Sequence, residues 1–347
     1  VQSCFASLTG LHLEVQQLEQ ARRGFSRAGL GLRSTASDAP AAYLASVGGS
    51  AKACRDLDPH YLSEDALPAE AAVLHAVGKL NAGLVDPLAP AAALNMKHKG
   101  LGALGDEASW QRQLAASSVT AQAVLRSEAE PGARAFLAAV PGGRTRMESA
   151  AFVVELRQRL HLSDARDDAW CPQCQGVLDK FSLHAGTCVA GGERTQRHNS
   201  VRDLLCHWAD RAGLQPENER PGLLLPQKPD DARLTQRRPA DVYLPSLFGS
   251  PVPLDLAITA PQPQAALAAA SRTALASATD HARTKETHLS TAQVCADQGD
   301  KFLPLVAEST GAWEPAAAKV LLHISRAAAA RESGEASALH ASLLQEL

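Results

Sequence analysis

The feature that most restricts how this chain can fold is the spacing Cys171-x2-Cys174-x9-His184-x3-Cys188. Two thiolates on a tight knuckle, answered by an imidazole and a third thiolate, suit a tetrahedral Zn2+ whose four protein ligands close its shell. A closed shell is structural, so the stretch from Leu162 to Glu193 is expected to be a small metal-stapled module lying on a boundary. The seven cysteines are an odd and sparse set. They argue for a reducing compartment with thiols available to metal, and against a disulfide scaffold. Cys206 and Cys295 have no partner at ligand spacing and read as small hydrophobes. His198 competes for the fourth zinc position, but its place in Arg194-x2-Arg197-His198-Asn199 favours a phosphate-contacting or positioning role.

Upstream of the module, from Val1 to about Leu160, alanine and leucine recur at helical spacing. Leu11, Val15, Leu18 and Ala21 make one stripe, and Phe152, Val153, Leu156 and Leu160 another. Ser37-Asp38-Ala39-Pro40 offers an N-cap and an early proline to start a helix through Tyr43 and Leu44. No catalytic constellation stands out in this half, and His12, His60, His75 and His98 read as surface or core residues. An opening Val1 in place of Met reads as a cut end. No window approaches the ~20 strongly apolar residues that span a bilayer, so no membrane partner is expected.

Downstream, Ser200 to Ala212 is an amphipathic helix with Val201, Leu204, Leu205 and Trp208 on one face. Leu214 to Gln236 is rich in proline and charge and reads as loop or edge structure, with Pro229-Asp230 in a turn. The period then changes to two. In Val252 to Thr259 the apolar side chains share one face, while Asp255 and Thr259 point to the other. Asp241 to Leu244 is a second short strand, joined to the first by a hairpin-like connection over Pro245 to Pro251. Gln264 to His288 reads as one long alanine-rich helix, Phe302 to Ala307 as a third strand, and the tail from Pro315 as helix. The order implies an α/β domain after a mostly α-helical region.

Fourteen residues separate Asp241 from Asp255, and antiparallel neighbours joined in this way bring both carboxylates to one sheet edge. Two aspartates are the hard oxygen donors that Mg2+ needs if it is also to hold a phosphate oxygen and a water. Lys285 lies three and seven residues beyond Ala282 and Ala278 and shares their face, so its ammonium could offset charge developing on a phosphodiester. Arg194, Arg197, Arg202, Arg237 and Arg238 cluster around the knuckle and before Asp241. A net charge of −3 excludes a polycation that coats nucleic acid, so any such contact is local.

These residues, with Arg238-Pro239-Ala240-Asp241, Leu254 to Thr259 and Leu303 to Gly311, resemble the C-terminal part of non-LTR retrotransposon polyproteins. In that family a zinc knuckle precedes a restriction-like endonuclease of the PD-(D/E)xK type. The resemblance covers about Ala169 to Trp313, and more loosely Ala28 to Ser34 and Ala41 to Ser46, which look like the segment after a reverse-transcriptase core. It implies a restriction-endonuclease-like α/β domain over 196–315, a CCHC knuckle over 161–195, a helical region over 1–160 and a helical tail over 316–347. Asp241 and Asp255 would bind catalytic Mg2+, Lys285 would be the basic residue, and Glu308 a further acid near the site, with Glu217 and Glu219 weaker candidates. Arg194, Arg197, His198, Arg237 and Arg238 would contact nucleic acid. Two departures stand out: Pro-Ala-Asp replaces Pro-Asp, and Ala257 stands where the simplest pattern has lysine.

The implied activity is a Mg2+-dependent nick in DNA that primes reverse transcription, with element RNA as a partner and a nuclear location. The alternative is a zinc-knuckle module from a decayed element that binds nucleic acid without cutting it. A blander one is a helical interaction scaffold with a zinc staple.

Overall fold

The structure, a computed structural model, describes residues 2–188, 190–226 and 237–347. Pro229-Asp230 falls outside these residues. The chain divides into two compact units, one ending at Ser118 and one running from Val119 to Leu347.

The first unit is helical: α1 (Gln2–Thr9), α2 (Val15–Arg22), α3 (Thr35–Leu57), α4 (Ala71–Asn81), α5 (Pro90–Leu94) and α6 (His98–Ala116). Leu44, Val73, Val77, Leu94 and Leu101 close its core. Alanine and glycine let the helices approach closely, and a Cβ on Gly48 of α3 would sit 1.9 Å from the Leu94 carbonyl oxygen. Helix α3 begins at Thr35, so Pro40 lies inside the helix and not at its first position. Glu70 caps α4 by accepting the amides of Ala72 and Val73.

The second unit begins earlier than the change of texture at residue 160 implies. Helices α7 (Val119–Glu128), α8 (Ala135–Ala138) and α9 (Ser149–Arg159) belong to it. Arg126 Nε donates to the Ser271 carbonyl at 2.8 Å, and Arg159 is fully buried against Glu128 at 3.0 Å. Alanine-rich composition is common to both units, so the change at Leu162 marks the cysteine module and not a unit boundary.

After the hairpin β1 (Ala169–Trp170) and β2 (Val177–Leu178) comes α10 (Glu193–Arg211), then β3 (Glu217–Asn218), β4 (Val242–Leu247), β5 (Ser250–Thr259), α11 (Leu267–Ala270), α12 (Ala276–Thr287), α13 (Thr291–Ala296), β6 (Leu303–Glu308), α14 (Pro315–Glu332) and α15 (Ala336–Glu346). The unit is mixed α/β. Its four-stranded sheet has the order β3-β4-β5-β6, antiparallel except for β5 beside β6. A parallel pair needs a crossover, and α11 to α13 provide it. The long helix expected over Gln264 to His288 is broken, because Leu275 takes a left-handed conformation (φ 61°) before α12.

Alternation along β5 sends Leu254 and Leu256 to one face, where they join Leu305, Trp208 of α10, Val320, Leu321 and Ile324 of α14, and Leu343 of α15. The residues from 316 onward therefore belong to the main core and are not an appended tail. The other face carries Val306 and Ala257 against Ala278 and Ala282 of α12.

The β4–β5 hairpin turns on Phe248-Gly249, with Leu247 opposite Ser250. Farther along, Leu244 pairs with Val252 and Val242 with Leu254, so one extra residue is accommodated between Leu244 and Leu247. Pro245 lies in this bulge, where its missing N–H costs no ladder bond.

Candidate metal centre and carboxylate site

The β1–β2 hairpin holds the cysteine knuckle between its strands. Ligand atoms of Cys171, Cys174, His184 and Cys188 lie within 4.8 Å of one another. Cys171 Sγ is 3.9 Å from Cys188 Sγ, and Cys174 Sγ is 3.2 Å from His184 Nε2. These are close to the edges of a tetrahedron around an ion bound at ~2.0–2.3 Å, so the four residues could hold zinc.

The surroundings are shaped for this. The amide of Gly176 donates to Cys174 Sγ at 3.2 Å, and a Cβ on Gly176 would meet His184 Cε1 at 2.8 Å. Backbone amides of Gln173 and Cys174 help to bring the Cys171 thiol down to about 6. Asp179 accepts the amides of Phe181, Leu183 and His184, which fixes the turn that delivers the imidazole. His198 is not a fourth ligand; it lies on α10 beside Asp241.

The sheet register brings the two aspartates together. Because Val242 pairs with Leu254, the next position along the ladder sets Asp241 opposite Asp255, and opposite residues project from the same face. The Asp241 amide donates to the Leu254 carbonyl at 2.9 Å. Asp241 Oδ2 accepts the Leu256 amide at 2.7 Å, and its Oδ1 lies 3.2 Å from His198 Nε2. Lys285 descends from α12 to place Nζ 2.7 Å from Asp255 Oδ1.

The electrostatics of the two acids differ. Burial raises Asp241, but the His198 bond and charge, the Leu256 amide and the Lys285 charge outweigh it, and the carboxyl ends below its ordinary range. Asp255 is raised, first by burial and also by Asp241, against the opposing pull of Lys285. An open groove of about 360 Å³ leads to Asp255 and Lys285, lined also by Arg237, Arg238, His281 and His288. Burial, Lys285 and Arg194 hold the His281 imidazole below its usual value. Its spacing of four residues before Lys285 on α12 was a signal available in the sequence.

Other candidates fall elsewhere. Glu308 ends β6 opposite Thr259, four register positions from the partner of Asp255, or roughly 13 Å along the strands. It is therefore not near the aspartate pair. Both its carboxylate oxygens are buried, and burial raises its pKa against the opposing pull of Ser127 and the Ala278 amide. Arg194 is exposed, and Arg197 is half-buried with an Nε that has no partner among the described residues. Arg237 is tied to the Leu289 carbonyl and Thr291. Arg238 and Arg202 both engage Glu219, and Glu217 engages Arg220, so these acids neutralise part of the arginine cluster. Cys295 is fully buried, as expected of a small hydrophobe, and Cys206 is half-buried.

No helix among the described residues is long and apolar enough to cross a membrane. No family model matches the chain, and no curated protein matches it.

Proposed function

We propose that the second unit is a Mg2+-dependent DNA endonuclease of the restriction-like type, working as the nicking domain of a retrotransposon protein. The observation that carries this reading is the cross-strand opposition of Asp241 and Asp255 with Lys285 Nζ 2.7 Å from Asp255.

The donor set suits the metal: two partly buried carboxylates face each other, and Asp255 is raised partly by its neighbour, so a cation there would relieve like-charge repulsion. Asp241 and Asp255 would hold Mg2+, which when bound would polarise the scissile phosphate and acidify a water. The chain does the rest. The Leu256 amide and His198 fix the Asp241 carboxylate before any ligand arrives. Lys285 stands ready to exchange its bond to Asp255 for a phosphate oxygen, offsetting the charge that builds up as the phosphodiester is attacked. Arg237, Arg238, His281 and His288 line the approach and position the strand. The zinc centre would steady the module that precedes α10 and thereby the helix that carries His198.

The test is nicking of supercoiled plasmid by the full chain with Mg2+, repeated with Asp241→Asn and Asp255→Asn. Nicking that needs Mg2+ and is lost in both variants supports the reading. Nicking that survives in both variants, or salt-sensitive nucleic-acid binding with no cleavage under any divalent metal, overturns it; the second outcome would leave the non-catalytic binding module.

A further inference from the structure

Helix α14 buries Val320, Leu321 and Ile324 beneath the sheet and turns another stripe to solvent. Lys319, His323 and Arg326 follow one another at spacings of four and three, so they share that stripe. Lys301, in the segment leading into β6, and Phe248, at the tip of the β4–β5 hairpin, complete a groove of about 430 Å³. No carboxylate lines it, and Lys301, Lys319 and Arg326 are in no ion pair among the described residues.

The aromatic at the hairpin tip is only partly used by the fold. Phe248 is 47% exposed, and its ring centroid lies 4.5 Å from that of His323. Both turn residues have positive φ, 53° at Phe248 and 82° at Gly249. That two-residue geometry is best served by Asn-Gly, and a bulky residue in the left-handed region is disfavoured. The site thus places a half-exposed aromatic, packed on His323, where the backbone disfavours one, beside cations that are in no ion pair among the described residues.

An exposed ring flanked by point charges matches one ligand chemistry, a flat π-face carried on a polyanionic backbone. We propose that this groove binds a single-stranded polynucleotide, with one base stacked on Phe248 and neighbouring phosphates on Lys301, Lys319 and Arg326. With the cations on phosphates and the ring on a base face, the contacts assigned here depend on neither sequence nor sugar. A duplex is a poorer ligand because its base faces are already stacked. The groove lies on the α14 side of the sheet, away from the Asp255 face, and Phe248 is seven residues from Asp255, roughly 20 Å along a strand. The proposal therefore does not rest on the nuclease reading.

The experiment uses the full chain carrying Asp241→Asn, without added Mg2+, so that a failure of the nuclease reading leaves it untouched. Fluorescence anisotropy is read with labelled dT15, U15 and a 15-base-pair duplex. A 5-iodouracil-substituted dT15 is then photo-crosslinked and the attached peptide identified. The expected result is equal affinity for dT15 and U15, a crosslink at Phe248 or within 319–326, and duplex binding that Phe248→Asn leaves unchanged. Phe248→Asn keeps the turn chemistry while removing the ring, and is expected to weaken dT15 binding about tenfold. The double change Lys319→Ala and Arg326→Ala is expected to reduce the salt slope by about 1.4. Unchanged dT15 affinity in Phe248→Asn with crosslinks only elsewhere overturns the proposal.

Discussion

Lys285 Nζ and Asp255 Oδ1 are 2.7 Å apart, joining α12 to the centre of the sheet at the same residue that Asp241 faces from β4. The ammonium opposes two forces on Asp255, burial and the neighbouring carboxylate, both of which favour the protonated acid. Replacing it removes that opposition. Lys285→Met is expected to move the acidic limb of the cleavage–pH profile to higher pH and to lower the rate about 100-fold. Lys285→Arg should retain the position of the limb. A profile unmoved by Lys285→Met would mean that the lysine does not govern the ionisation of Asp255.

The cysteine module should depend on metal while the sheet does not. One zinc per chain is expected by metal analysis, and none in Cys174→Ser. Because structural zinc binding is folding free energy for its own segment, hydrogen exchange should show loss of protection over 169–188 on chelation. Amides around Leu254 and Leu305, both essentially fully buried, should keep theirs. Collapse of both regions together would show that the module and the sheet are one cooperative unit.

Glu308 has a defined sign of pH dependence. Burial lifts its carboxyl above the unfolded value, so the proton is held more tightly in the folded state. Its contribution is fully favourable below the ordinary glutamate pKa of about 4.3 and is lost as pH rises through the folded value. Glu308→Gln should therefore be more stable than wild type at pH 8, with the gap closing by pH 4. Urea midpoints at both values test this, and a gap that widens toward acid pH would refute it.

Arg159 and Glu128 form a pair with essentially no solvent, and burial lifts the Glu128 carboxyl to about 8. Arg159→Met removes the charge that opposes that lift, so the lone buried acid holds its proton to a higher pH than in the wild type, and the cost grows as pH rises past 8. The penalty should be about 3–5 kcal/mol at pH 9 and smaller at pH 6. Adding Glu128→Gln should remove most of the pH-dependent part. Equal penalties at the two pH values would point to lost packing alone.

The parts of this structure that could be read from the sequence are those governed by short-range pattern. The period-two alternation of Val252 to Thr259 gives β5, ligand spacing gives the cysteine cluster, and small-residue spacing puts Lys285 on the face of α12 that meets the sheet. Long-range packing hid the rest. The three helices before residue 160 are compositionally like the first unit, yet their contacts, such as Arg126 with Ser271, lie with the second. Leu275 gives no local sign of the left-handed turn that splits the expected long helix. Glu308 follows its strand as expected, but a parallel register carries it away from Asp255. His198 meets Asp241 only because α10 packs across the sheet, and no spacing in the chain encodes that contact.

The bulge between Leu244 and Leu247 makes the site a matter of parity. With a two-residue turn at Phe248-Gly249 and no bulge, the partner of Asp241 would be Leu256, and one carboxylate would be turned toward the apolar layer. The extra residue converts an odd separation into the even one that sets Asp241 against Asp255. Deleting Ser246 would remove the extra residue itself, leaving Leu244 opposite Val252 and the two acids still paired, whereas deleting Pro251 with the bulge kept would move the partner of Asp241 to Leu256. Neither deletion touches a candidate side chain, yet only the second uncouples the two acids, so the chemistry of this sheet is specified by a count as much as by the residues counted.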